Sequence, residues 1–327
     1  MASSDSHYQR QYDWPPIGNN RVADFLDRSL SSGRLAQTYI FVGADGLGKS
    51  ALAQAFAANL LLSDGQEKLT GTNSDLYILE RPEGRKDIPV ELTRDFIKML
   101  SLSSFLGSYK IGIIKEAETL NEAGANALLK TLEEPREKVV IILLTNSLPA
   151  LPSTLVSRAQ VLYFNLVPYE IIYDYLLEEK KVDRASAKNL AALSAGRPLE
   201  AVRLLEEPEY YEAQLASARS FLSFFSQAVI NRGATLKKMG SLDRDQTEEL
   251  ISSWQRVWRD LLLLRLNQPE LLQYAALKEE LLAVNAQLAD QDWFYYYQLA
   301  DTLMTAQKYL AANVSPATVL EQVIFNL

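Results

Sequence analysis

The sequence contains no cysteine. That absence excludes disulfides, a cysteine zinc site and a thiol nucleophile together, and it suits a reducing cytoplasm. Histidine is almost missing as well. The one copy, His7, lies in the polar opening "MASSDSHYQRQYDWPP" and reads as a surface residue. The same opening has no basic segment followed by an apolar stretch, so no signal peptide is expected. Long apolar runs are lacking: "VVIILL" from Val139 is among the longest, far short of the ~20 residues that cross a bilayer. The expectation is a cytoplasmic chain with no membrane partner. Positive charge is in deficit, with 33 Lys and Arg against 41 Asp and Glu and a formal net charge of −8. Binding to nucleic acid is driven by neutralising phosphates with Lys and Arg, so this chain alone is not expected to hold it firmly. Local basic patches, or a place in a basic assembly, stay open.

What is present is ample for a globular protein. The 327 residues suffice for two or three domains, and the apolar and charged fractions are near the globular average. Residues 20–30 carry Val22, Phe25, Leu26 and Leu30 at helical spacing. "TYIFVG" (Thr38–Gly43) predicts a strand, then a glycine-rich turn and a helix over Ala51–Leu62. "SDLYIL" (Ser74–Leu79) predicts a second strand, Leu92–Leu102 a helix, and Lys110–Ile114 a third strand. Asn121 is a candidate cap for a helix that stops at Pro135. "KVVIILLTN" from Lys138 and "AQVLYF" (Ala159–Phe164) complete five strands. Strands alternating with helices imply a parallel sheet covered on both faces. After Val167-Pro168 only helical stretches follow, with breaks expected at "SAGRP", "EEPE", "NRGA", "NQPE" and "NVSP". The expected division is an α/β domain over 1–167, a small helical domain over 168–207 and a larger all-α domain over 208–327. The aromatics near Trp254, Trp258 and Trp293–Tyr297 are expected in helix packing.

"GADGLGKS" (Gly43–Ser50) matches the G-x-x-x-x-G-K-[ST] phosphate loop, with a strand before it and a helix after it. Gly43, Gly46 and Gly48 let backbone N–H groups turn inward, and the helix N-terminus adds partial positive charge. Lys49 would reach the β- and γ-phosphates of ATP or ADP, and Ser50 would hold magnesium. A glycine-rich turn kept for its shape is the alternative. The end of the third strand departs from the pattern, because the acid expected to help hold the metal is Lys115, followed by Glu116. A lysine repels a cation in a partly dry pocket. Glu116 is a candidate base that orients water, without a metal-holding partner. Lys115 pointing away is the other reading.

"NEAGANALLKTLEEP" (Asn121–Pro135), "LLTN" (Leu143–Asn146) and "SRA" (Ser157–Ala159) resemble the bacterial clamp-loader family, specifically the delta-prime subunits of DNA polymerase III. The stretch "GNNRVADFLDRSLSSGRLAQTYIFVGADGLGKSALAQAFAANLL" and the final "NVSPATVLEQVIFNL" are similar too, so the resemblance spans nearly the whole chain. It implies an AAA+ P-loop domain with a parallel sheet, a helical lid and an all-α C-terminal collar that joins a ring-like pentamer. It also implies that Ser157 and Arg158 project into a neighbour's nucleotide site, where a rigid guanidinium stabilises charge on γ-phosphate oxygens. Thr145 and Asn146 take the position that senses the γ-phosphate, with a plain strand-to-loop turn as the alternative. Arg197 is a candidate lid arginine or a helix cap, and Ile17-Gly18 a candidate edge of an adenine pocket. Arg94 and Lys98, four apart on one helix, are candidates to face DNA or simply solvent.

The implied partners are the delta and gamma or tau subunits, with the sliding clamp and primed DNA reached through the assembly at the nucleoid. Where relatives carry a cysteine zinc module after the phosphate-loop helix, this chain has the polar link "SDGQEKLTGTNSD", so no zinc is expected. Two roles fit the family: a stator that completes a neighbour's site, or a gamma/tau-like motor hydrolysing its own ATP. An unrelated P-loop transferase would need an acceptor pocket that the helical half does not announce.

Overall fold

Thr38–Val42 (β1), Leu76–Leu79 (β2), Lys110–Ile114 (β3), Val139–Thr145 (β4) and Gln160–Tyr163 (β5) pair in parallel in the order β2-β3-β4-β1-β5. In this computed structural model the described residues are 9–63, 75–102, 109–133, 137–239 and 241–327. His7, Pro135 and most of the polar link lie outside them. The strands β1, β3 and β4 are buried along their full length, because helices cover both faces.

Alternation along the strands separates two cores. Tyr39, Phe41, Ile111, Ile113, Val140, Ile142 and Leu144 pack with Leu26 of α1 (Asn20–Ser32) and Phe56 and Leu60 of α2 (Lys49–Ser63). Ile40, Val42, Ile114, Val139, Ile141 and Leu143 pack on the opposite side. Their partners there are Phe96 and Leu100 of α3 (Val90–Ser101), Leu128 of α4 (Glu122–Glu133) and Leu155 of α5 (Ser153–Val156). Asn121 caps α4 as expected, its Oδ1 accepting the Gly124 N–H at 2.7 Å. The start of the described chain is tied down by buried Asp27. Its carboxylate accepts from the backbone N–H groups of Gln11 and Tyr12 and from Trp14 Nε1.

The chain forms two compact units, Met1–Ile171 with Arg197–Leu199, and Ile172–Gly196 with Glu200–Leu327. Every described element after β5 is helical: α6 (Tyr169–Glu178), α7 (Arg184–Leu193), α8 (Pro198–Glu206), α9 (Pro208–Phe224), α10 (Val229–Met239), α11 (Arg244–Arg265), α12 (Lys278–Gln287), α13 (Trp293–Ala311) and α14 (Pro316–Phe325). The breaks at "SAGRP", "EEPE", "NQPE" and "NVSP" fall between helices. "NRGA" does not break one. It lies inside α10, where buried Arg232 donates to the carbonyls of Phe224, Ile324 and Leu327, and Gly233 sits in open space. Tertiary anchoring through one arginine outweighs the roughly 1 kcal/mol cost of a helical glycine.

Trp254, Trp258, Phe221, Phe224 and Tyr296 form the aromatic core of the second unit, with Trp258 and Tyr296 stacked at 5.0 Å. Trp293, Phe294 and Tyr297 are instead exposed, against the expectation of packing. Helical spacing turns Tyr296 and Leu299 inward and leaves these three on the outer side of α13. Among the described residues no helix is long and apolar enough to cross a membrane.

Candidate functional site

The loop after β1 begins with Gly43, whose N–H continues the sheet by donating to the Thr145 carbonyl at 3.1 Å. Gly43 has φ 155°, and a Cβ there would fall 2.5 Å from the Phe164 carbonyl, so only glycine fits between the loop and the end of β5. Lys49 opens α2, which places the helix N-terminus directly behind the loop. Its ammonium is buried and donates to the carbonyls of Gly43 and Ala44 (2.9 Å to the latter) and to Asn146 Oδ1 at 2.7 Å. The Asp45 carboxylate lies 3.6 Å away. Burial pushes the Lys49 ammonium below its ordinary value, against the opposing pull of the Asp45 and Glu118 carboxylates. Ser50, one residue on, accepts a hydrogen bond from Gln54 Nε2.

Asn146 is the hub. Beyond its bond from Lys49, its Nδ2 donates to Asp45 at 2.9 Å, and its backbone N–H donates to Glu118 Oε1 at 3.2 Å. Thr145 is buried, and its hydroxyl donates to the Ser147 carbonyl and accepts the Ser147 N–H, which shapes the turn after β4. Arg197 lies over Gly46, the Gly46 carbonyl accepts the Leu199 N–H at 3.0 Å, and Arg197 Nε is buried with no hydrogen-bond partner. Gly18 and Asn19 adjoin the loop as well, since the Asn19 amide bridges the Leu47 carbonyl and the backbone of Asn165.

The end of β3 is arranged differently from the sequence expectation for Glu116. Lys115 pairs with Glu80 at 2.7 Å, and Glu116, in a left-handed conformation at φ 49°, turns to Arg81 at 2.7 Å. A 3₁₀ turn over Ala117–Thr119 then returns the chain, so that Glu118 rather than Glu116 meets Asn146. Sequence reasoning missed Glu118 and Asp45. The positive φ at Glu116 that redirects the chain has no strong sequence signature, and Asp45 occupies a position that the loop pattern leaves free.

Arg158 follows α5, away from this cluster of contacts. Its guanidinium is half-exposed, pairs with Glu133 Oε1 at 2.9 Å and donates to the Thr154 carbonyl. Ser157 Oγ closes on the same Thr154 carbonyl. Arg94 and Lys98 are exposed on α3. The arrangement thus places the glycine loop at the carboxyl end of a central strand, between β4 and β5, where open parallel sheets bind ligands.

A five-stranded parallel sheet, this loop and the helical second half define an AAA+ P-loop fold. Residues 18–168 match the family described as "DNA polymerase III, delta subunit". The DNA polymerase III subunit delta' of Yersinia pestis is 32% identical over 251 residues, 72% of this chain and 71% of that protein. The subunit tau of Escherichia coli is 29% identical over 258 residues, 72% of this chain and 37% of tau. A DNA polymerase III gamma subunit-related protein of Thermotoga maritima shares the fold, with a TM-score of 0.54 at 18% identity over 91% of this chain and 97% of that one. The chain belongs to the delta' family of DNA polymerase III clamp-loader subunits.

Proposed function

We propose that this chain is the stator of the loader, a subunit whose Arg158 completes the ATP site of a neighbouring gamma or tau subunit. The observation that carries the reading is the state of Arg158: a half-exposed guanidinium beside Glu133, available to a surface that docks there. In trans it would stabilise charge spreading over the γ-phosphate, worth on the order of 10³–10⁵ in rate in the GTPase cases. The assembly would use that hydrolysis to open the sliding clamp and close it on primed DNA. Arg94 and Lys98 on α3 would add a salt-sensitive DNA contact within it.

The chain's own loop fits a nucleotide phosphate with magnesium. Its glycines hold positive φ, the N-terminus of α2 faces the loop, and two orphaned polar atoms, Arg197 Nε and Glu118 Oε2, adjoin it. Lys49 and Asn146 would hold phosphate oxygens, and Ser50 the metal. The bound nucleotide would supply an acid anhydride, but Lys115 stands where the metal-holding acid belongs, so own turnover would be weak.

The test is DNA-stimulated ATP turnover by the reconstituted loader with this chain unaltered or as Arg158→Ala. A loss of about two orders of magnitude or more with assembly intact supports the reading. Unchanged turnover refutes it. A motor role like that of gamma or tau is the second reading, favoured by the complete "GADGLGKS". It requires that Lys49→Ala, rather than Arg158→Ala, abolish this subunit's share of turnover.

A further inference from the structure

The carboxylates around the loop are not equivalent. Glu80 is matched by Lys115 and Glu116 by Arg81, each at 2.7 Å and near the surface. Asp45 is bonded by Asn146 and lies near Lys49, with its side chain largely in solvent. Glu118 differs from all three. One oxygen accepts the Asn146 N–H, and the other, Oε2, is buried without any hydrogen-bond partner. A carboxylate oxygen left in this way is unfavourable unless a donor or a cation meets it. The nearest chemistry is the phosphate loop: Asn146, which Glu118 holds by its backbone, holds Lys49 by its side chain.

We propose that Glu118 is the acid of this phosphate site, the carboxylate that receives a divalent cation or its water when nucleotide is bound, in the role that Lys115 cannot fill. The chain departs from the strand-end pattern and recovers the charge three residues later. The left-handed backbone at Glu116 and the 3₁₀ turn after it carry Glu118 to Asn146. Lys115 and Glu116 are drawn outward into their own ion pairs. The inference rests on the reading that "GADGLGKS" takes nucleotide.

The experiment is equilibrium binding of a fluorescent N-methylanthraniloyl-ADP to the full chain, with magnesium or with EDTA. Glu118→Gln keeps an acceptor for the Asn146 N–H and removes only the charge, so the fold should persist, and the magnesium gain of each variant is read against its own binding in EDTA. Magnesium should tighten binding to the unaltered chain, and Glu118→Gln should remove that gain, on the order of 10–100-fold. If Glu118→Gln retains the gain, or if Glu116→Gln loses it instead, the assignment is overturned. Nucleotide binding indifferent to magnesium in the unaltered chain also overturns it and leaves the loop reading standing. No binding under either condition refutes the loop reading and this assignment with it. Circular dichroism of each variant separates these outcomes from misfolding.

Discussion

Gly112, in the middle of β3, is held by packing rather than by backbone conformation. A Cβ built there would lie 2.4 Å from Phe96 Cζ and 2.8 Å from Leu100 Cδ1, so the α3 side chains press directly on the strand. Phe96 and Leu100 are both buried, and neither can swing into solvent. Gly112→Ala therefore forces α3 away from the sheet or an aromatic ring out of its rotamer. Overpacking of this kind costs about 1–3 kcal/mol. Against it stands the roughly 0.5–1 kcal/mol gained by replacing a strand glycine, which leaves a net loss centred on about 1 kcal/mol, within a span of about 0–2.5 kcal/mol. Native-state hydrogen exchange at the β3 and β4 amides reads the loss directly within this unit. A second arm isolates the cause: in a Phe96→Leu background the ring is gone, and Gly112→Ala should cost about 1 kcal/mol less than it does alone. If the alanine is neutral or stabilising, or if the two substitutions add without coupling, the contact between Phe96 and the strand is not what selects glycine.

The Arg158–Glu133 pair is exposed on both sides, so it is worth only about 0.2–1 kcal/mol. Glu133→Gln should accordingly raise turnover of the reconstituted loader by no more than about fivefold. A loss as deep as that of Arg158→Ala would mean that Glu133 itself works at the neighbour's site. In the second unit, buried Asp260 accepts the N–H groups of Gln273 and Tyr274, yet desolvation still raises its pKa above the ordinary 3.8. The native state then binds this proton more readily than the unfolded chain, so the group's contribution is fully present below pH 3.8 and is lost as pH rises through the raised native value. Urea titrations from pH 4 to 7 should show the stability of the unaltered chain falling relative to Asp260→Asn. A difference that stays flat would mean that burial does not govern Asp260.

Where local chemistry decided the structure, the sequence was legible. Five strands, the glycine loop and the Asn121 cap follow from apolar runs and short-range punctuation, and prolines mark all four of the breaks between the later helices. The misses are tertiary. "NRGA" looked like a break because Gly and Asn disfavour helix, but the three carbonyls that hold Arg232 come from α9 and the end of the chain. Trp293, Phe294 and Tyr297 looked like core because they are aromatic, although the helical period can bury only one side of such a run. At the site, Lys49, Thr145 and Asn146 could be named from motifs. That Glu118, and not Glu116, bonds Asn146 could not, because it turns on one residue's φ.

The order β2-β3-β4-β1-β5 also has a consequence for the growing chain. Strand β1 pairs with neither of the next two strands in sequence; its partners are β4 and β5, with Thr38 beside Ile141 and Tyr39 beside Gln160. About 100 residues must be synthesised before the first of these partners exists. At roughly 5–20 residues per second, "TYIFV" waits on the order of 5–20 s with four apolar core side chains and both backbone edges unmatched. Nascent chains stalled before β4 should therefore engage hydrophobic-binding chaperones through this segment and lose that engagement once β5 has emerged.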